Sequence, residues 1–196
     1  LPPSPPRFWN AVSNTYVIDP DVYTEPRYKS SNAKIKGIVE FSSHEFDYSG
    51  ESPTFTLTDN LQEEGWSAEY TLPELEKNAG SYEIVIPIRF QHKQTYERFT
   101  ANVPYRYIIK KQTLTFSINN QERLYGDDNP PFTYVISGFV GNDDEKSIKE
   151  FPNIFCSASK TSGIGEYQII GNGGQSLNYD IAFDNGVLTI KKAKLS

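Results

Sequence analysis

From Lys34 onward, apolar residues recur at every second position, a spacing that lines up side chains on one face of an extended strand. Tyr82, Ile84, Ile86 and Ile88 make one such row, Leu114, Phe116 and Ile118 a second, and Phe132, Tyr134 and Ile136 a third. Near the C-terminus, Tyr179, Ile181 and Phe183 lead into Asn185-Gly186 and then VLTIKKA. An Asn-Gly pair between alternating runs predicts a type I′ hairpin, because that turn needs two residues that tolerate positive φ. Helix-forming chemistry is confined to LPELEK (72–77) and NDDEKSIKE (142–150), each long enough for a turn or two. The pattern predicts an all-β fold.

The alternating rows belong to a duplication. KGIVEFSSHEFDYSGESPTFTL (36–57) and KQTLTFSINNQERLYGDDNPPFTYVI (111–136) each run as strand, polar stretch, Tyr-Gly or Tyr-x-Gly turn, proline and aromatic strand. Tyr48 corresponds to Tyr125, Pro53 to Pro130 and Phe55 to Phe132. Gly80-Ser81-Tyr82-Glu83-Ile84 then matches Gly165-Glu166-Tyr167-Gln168-Ile169, and YRYIIKK (105–111) matches GVLTIKKA (186–193). The copies stand roughly 80 residues apart, the size of a small domain. This divides the chain into a first module at 34–110 and a second at 111–196. Each reads as a small immunoglobulin-like β-sandwich, with a β-grasp-like single sheet plus short helix as the alternative. Residues 1–33 begin with LPPSPP, an extended proline-rich tether, and carry enough aromatic and branched residues for part of them to add an edge strand.

Composition narrows the function classes. A formal charge of −6 and a pI near 5.0 argue against a nucleic-acid partner, which requires a cationic face. Cys156 is the sole cysteine, which rules out an intrachain disulfide or a cysteine-based zinc site. No apolar run reaches the roughly 18 residues that a membrane-spanning helix needs. The chain begins at Leu1 and contains no methionine, which points to a leader removed from the sequence.

Candidate chemistry is sparse. His44 and His92 lie far apart in sequence and read as surface or turn residues. Cys156, in NIFCSAS, reads as a small buried hydrophobe, and its own module holds no histidine to activate it. Asp127, Asp128 and Asn129, and again Asp143, Asp144 and Glu145, offer hard oxygens to Ca²⁺ but follow no calcium-loop spacing, so they read as turn-formers. Gly171-Asn172-Gly173-Gly174 lacks the lysine and helix of a phosphate loop and reads as a flexible loop. Trp9, Trp66, Tyr70 and Tyr96 fall outside the best alternating rows and are the candidates for stacking on a sugar. No catalytic residue, metal site or cofactor is predicted.

YGDDNP (125–130), ISGF (136–139), GEYQI (165–169) and NYDIAFDNGVLTIKKA (178–193) stand in an order that closely resembles the YGX-type MBG domain. That domain occurs in tandem in surface and adhesin-like proteins of bacteria. The first module resembles the same group in divergent form, or a bacterial immunoglobulin-like module, because Ser49 separates Tyr48 from Gly50. The resemblance implies a non-catalytic, monomeric spacer or interaction scaffold at the bacterial cell surface, in an adhesin-like protein or lipoprotein. Its partners would be neighbouring domains of the same protein and a host glycan or protein. Tyr48, Gly50, Tyr125 and Gly126 at the Tyr-Gly turns, and Asn185 and Gly186 at the hairpin, are assigned structural roles. A carbohydrate-binding module and an accessory domain of a larger surface enzyme are the alternatives.

Overall fold

The computed structural model describes residues 9–10, 15–18, 37–59, 65–96 and 98–193. The LPPSPP stretch expected to form a tether and the Trp9 side chain lie outside the described residues. In chain order the strands are β1 Trp9–Asn10, β2 Thr15–Ile18, β3 Gly37–Phe41, β4 Glu45–Asp47, β5 Leu57–Asp59, β6 Trp66–Glu69, β7 Gly80–His92 and β8 Arg98–Lys110. They continue with β9 Gln112–Ile118, β10 Gln121–Leu124, β11 Tyr134–Ser137, β12 Ile148–Glu150, β13 Asn153–Cys156, β14 Gly165–Asn172, β15 Gln175–Ser176, β16 Tyr179–Asp184 and β17 Gly186–Lys191. The fold is all-β, as the alternation predicts. Of the two helix-like stretches, 142–150 yields a single 3-10 turn, Glu145–Ser147, and 72–77 forms no helix.

The chain divides into two compact units. The first gathers the described residues up to Phe46, with Ser52–Glu76 and Ser81–Ile108; the second gathers Asp47–Glu51, Lys77–Gly80 and the chain from Ile109 onward. The second unit thus takes in two short segments from the first half of the sequence.

In the first unit one sheet has the order β1-β2-β3-β5 and the other β4-β8-β7-β6. Strand β7 alternates faithfully: Ile86, Ile88 and Phe90 are buried while Val85, Pro87 and Arg89 face out. Tyr105 and Tyr107, two residues apart on β8, extend an aromatic stack in which the Phe55 and Tyr105 rings lie 4.4 Å apart and nearly parallel. Buried phenols need partners, and each has one. The Tyr105 hydroxyl donates to the Ser43 carbonyl, and the Tyr107 hydroxyl accepts from the Glu76 N–H at 2.9 Å.

In the second unit the orders are β10-β17-β14-β13, β11-β9-β16 and β12-β15. Leu114, Phe116, Ile169, Leu188 and Ile190 are buried to within about 1% and form its apolar interior. Both larger sheets are mixed, since β16 runs parallel to β9 and β17 runs parallel to β10.

The hairpin predicted at Asn185-Gly186 does not form. Strands β16 and β17 lie in different sheets, and neither residue adopts the positive φ of a type I′ turn. The physical reason is the parallel pairing. The neighbours β9 and β16 turn a shared corner, at Asn119-Asn120 and at Asn185, and continue as the neighbours β10 and β17. Asn120 accepts the Val187 N–H at 2.8 Å across that corner. A Cβ at Gly186 would sit 2.8 Å from the Ile118 carbonyl oxygen and 2.9 Å from that of Asn119. The glycine therefore serves close backbone approach. Gly186→Ala is expected to destabilise the second unit by roughly 1–3 kcal/mol, the usual cost of forcing atoms into a packed site. A lowered urea midpoint at unchanged m-value would show it.

Candidate functional site

The sugar-stacking candidates are placed as follows. Trp66 is 3% exposed and packs edge-on against His92 across the β6–β7 pair, ring centroids 5.0 Å apart, so it presents no free face. Tyr70 is half-buried, its hydroxyl donating to the Leu57 carbonyl at 2.9 Å. Tyr96 is 70% exposed at the β7–β8 turn, with φ of 58°. His92 closes that turn: its Nδ1 accepts from the backbone N–H groups of Thr95 and Gln94 at 3.1 and 3.3 Å. His44 Nδ1 donates to the Arg106 carbonyl at 2.6 Å, with the ring against Phe41 and Tyr105. Cys156 is half-buried on β13 and packs against the core that holds Ile169, Leu188 and Ile190. Among the described residues no three His, Cys, Asp or Glu side chains gather to hold a metal ion. No helix among them is long and apolar enough to cross a membrane.

A polar cluster lies in the second unit, around Asp143. Tyr179 opens β16 and, by the same alternation that aims Ile181 inward, turns its ring into the unit, 1% exposed. The 138–147 loop folds back over it, with the Val140 N–H donating to the Tyr179 hydroxyl at 3.1 Å and the Asp143 N–H to the Val140 carbonyl at 3.1 Å. One carboxylate oxygen of Asp143 then accepts from two phenols, Tyr179 at 2.6 Å and Tyr48 at 2.9 Å. The Tyr48 and Tyr179 rings meet edge to face, 5.5 Å apart. Next in sequence, Asn178 accepts the Ala79 N–H at 2.9 Å, donates to Asn78 Oδ1 at 3.1 Å, and accepts the Gln112 N–H on its own carbonyl. Residues 47–51 are thus held at Asp143 and against the Tyr179 ring, and residues 77–80 at Asn178.

This chemistry keeps both phenols neutral. Burial first, and then the bond to a negative carboxylate, push the Tyr179 hydroxyl up to about 12 and raise that of Tyr48 in the same direction. Of the two acidic runs considered for Ca²⁺, one is therefore occupied by tyrosines at Asp143, while Asp144 accepts the Lys146 N–H and starts the 3-10 turn. In the other, Asp128 meets the Lys160 ammonium at 3.1 Å.

The Tyr-Gly turn forms a second cluster. Gly126 has φ of +91° and Gly50 +82°, a region that side chains avoid. In both places the tyrosine N–H donates to the lysine carbonyl that closes the last strand of its sheet: Tyr48 to Lys110 at 2.9 Å, Tyr125 to Lys191 at 2.8 Å. The loop after Gly126 is locked by a buried guanidinium. Arg123 donates to Asn129 Oδ1 at 2.7 Å, to the Ser159 carbonyl at 2.6 Å and to the Leu124 carbonyl at 3.1 Å, and Asn129 donates onward to the Ala158 carbonyl. Residues 114–189 match the family model of the MBG domain (YGX type). The matched stretch contains Arg123, the Tyr125-Gly126 turn, Asn129, Asp143, Asn178 and Tyr179. No curated protein matches the chain.

In the MBG-type unit the tyrosine and glycine of the motif have separable tasks. The glycine turns the backbone, and Arg123 with Asn129 holds the loop that follows. The Tyr125 ring, 48% exposed, is not consumed by either task. Arg123 and Asn178 did not stand out in the sequence, and Asp143 did so only as a hard-oxygen candidate for Ca²⁺. The usable signal was Arg123 at an inward position of an otherwise polar strand, where a charge persists only if it has partners.

The sign of the tyrosine shifts sets a pH test. A tyrosine whose folded pKa lies above its ordinary value near 10 contributes stability that is complete below pH 10 and lost as pH rises through about 12. Tyr179→Phe is expected to lower stability by roughly 1.5–3 kcal/mol at neutral pH, as for a lost hydrogen bond to a charged group. The gap between variant and parent should narrow over that alkaline interval. Urea midpoints across the pH range measure it; a gap that widens above pH 10 would contradict the assignment.

Proposed function

We propose that this chain is a non-catalytic segment of a bacterial cell-surface protein, whose β units act as spacer and interaction scaffold for other parts of that protein. The observation that carries the reading is the MBG match on a unit whose polar clusters are spent on holding chain segments together. MBG domains are typical of bacterial surface proteins. The tyrosine hydroxyls and carboxylate at the best-formed cluster are hydrogen-bonded to each other, an arrangement that stiffens a fold and leaves the phenols un-ionised.

The two sequence modules, 34–110 and 111–196, are copies of one folding design. Strand order supports this: β4-β8-β7-β6 in the first unit runs in the same sequence of roles as β10-β17-β14-β13 in the second. Strands β3 and β5 pair antiparallel, as do β9 and β11. The Tyr48–Lys110 and Tyr125–Lys191 backbone bonds occupy corresponding places. Repetition of one such design adds reach for each copy added, and reach is what a spacer contributes.

A spacer is replaceable by anything of the same reach. In cells displaying the full-length parent protein, deleting residues 34–193 should reduce ligand capture by the rest of that protein. Inserting two unrelated β modules of similar length should restore it. Failure of the replacement, or a glycan-array signal given by the isolated chain, would instead assign the recognition to these residues.

A further inference from the structure

The Tyr48 segment folds into the compact unit that follows it in the chain, and the corresponding segment of the MBG-type unit is left uncovered. At the first position, Tyr48 is 5% exposed and Ala79 9% exposed, both residues belonging to the second unit. The matching residues, Tyr125 and Ile164, are 48% and 56% exposed, and Leu124 beside them is 40% exposed. The Tyr125 hydroxyl has no partner among the described residues, whereas that of Tyr48 donates to Asp143.

These residues share one end of one sheet. Strand β10 finishes at Leu124 opposite Lys191, the Tyr125 N–H bonds the Lys191 carbonyl, and β14 starts at Gly165 opposite Ile190. Tyr125, Ile164 and Lys191 therefore frame a single edge. It offers a phenol donor, the Ile164 N–H and apolar side chains, the same groups that Asp143, Asn178 and Tyr179 engage on residues 47–51 and 77–80. Gly163 stands where Asn78 stands in the first copy, so the Asn178–Asn78 side-chain bond has no equivalent there, while the backbone bond to Asn178 can be repeated.

We infer that this edge is a docking site for a further unit of the same kind, joined to the chain after residue 192. Its aspartate at the Asp143 position would take the Tyr125 hydroxyl, and its asparagine at the Asn178 position the Ile164 N–H. The motif's tyrosine then works as a latch onto the next unit, and its glycine as the turn that presents it. The inference rests on the reading of the two sequence modules as copies of one design. A second chain cannot offer the same pocket from its existing unit, because its Asp143 already holds Tyr48.

The test extends the whole chain. Residues 1–192 are followed by an added copy of residues 112–193 carrying Tyr125→Phe, so that only one Tyr125 peptide exists, and nitration by tetranitromethane is followed by mass spectrometry. In the unextended chain Tyr125 should nitrate at a rate close to that of exposed Tyr96. In the extended chain it should slow by about tenfold or more, toward the rate of Tyr48, since a closed contact protects in proportion to its population. Asp143→Asn in the added copy should return part of the reactivity. Unchanged nitration of Tyr125 would overturn the inference, whether the added copy is folded or unfolded by amide-proton dispersion, because that copy carries Asp143, Asn178 and Tyr179 and must take from the edge at Tyr125 what the second unit takes from residues 47–51 and 77–80. Protection in the unextended chain that rises with protein concentration would reassign the edge to contact between copies and overturn it too. The spacer reading survives either result, since it requires no contact at Tyr125.

Discussion

A single carboxylate organises the second unit. Asp143 receives two phenolic hydrogen bonds, and without it Tyr48 and Tyr179 would bring two hydroxyls into a poorly hydrated space with no acceptor. Leaving a buried donor unsatisfied costs more than making the bond gains, which is why such clusters act as all-or-none devices. Here the device has a topological effect. It draws residues 47–51, and through Asn178 residues 77–80, into a unit whose remaining chain begins at Ile109. The boundary between compact units is consequently discontinuous in sequence.

What the units share is the way polar side chains are placed around an alternating apolar interior. The phenols of Tyr105 and Tyr107 close onto backbone groups at Ser43 and Glu76, and the Arg123 guanidinium closes onto three acceptors in and around the Tyr-Gly loop. In each case a long side chain crosses from a strand to an irregular segment and gives that segment its geometry. A fold with few helices has many such segments to hold, and aromatic residues with a polar tip suit the task.

The alternating rows made the strands and the apolar interior readable from sequence, because a period of two has no competing interpretation when it persists over several residues. Leu114, Phe116 and Ile118, and Ile86 and Ile88, are buried as their spacing required. The corner at Asn185-Gly186 was misread for an equally physical reason. Local turn chemistry identifies residues that tolerate a sharp bend, but parallel pairing of β16 with β9 and β17 with β10 is a long-range fact that decides where the bend leads. Trp66 illustrates the reverse error: off the main rows, it is nevertheless enclosed by a cross-strand histidine. The Asp143 cluster could not be read at all. Its members are spread over Tyr48, Ala79, Asp143, Asn178 and Tyr179, and only the folded chain brings them within bonding distance.

Native-state hydrogen exchange at the Tyr48 and Ala79 amides tests this account most directly. If the carboxylate cluster makes their segments part of the second unit, both amides will exchange with the same opening free energy and denaturant dependence as the Gln112 and Val140 amides, which bond to Asn178 and Tyr179. Exchange that follows instead the opening of Ile86, Ile88 and Phe90 would contradict it.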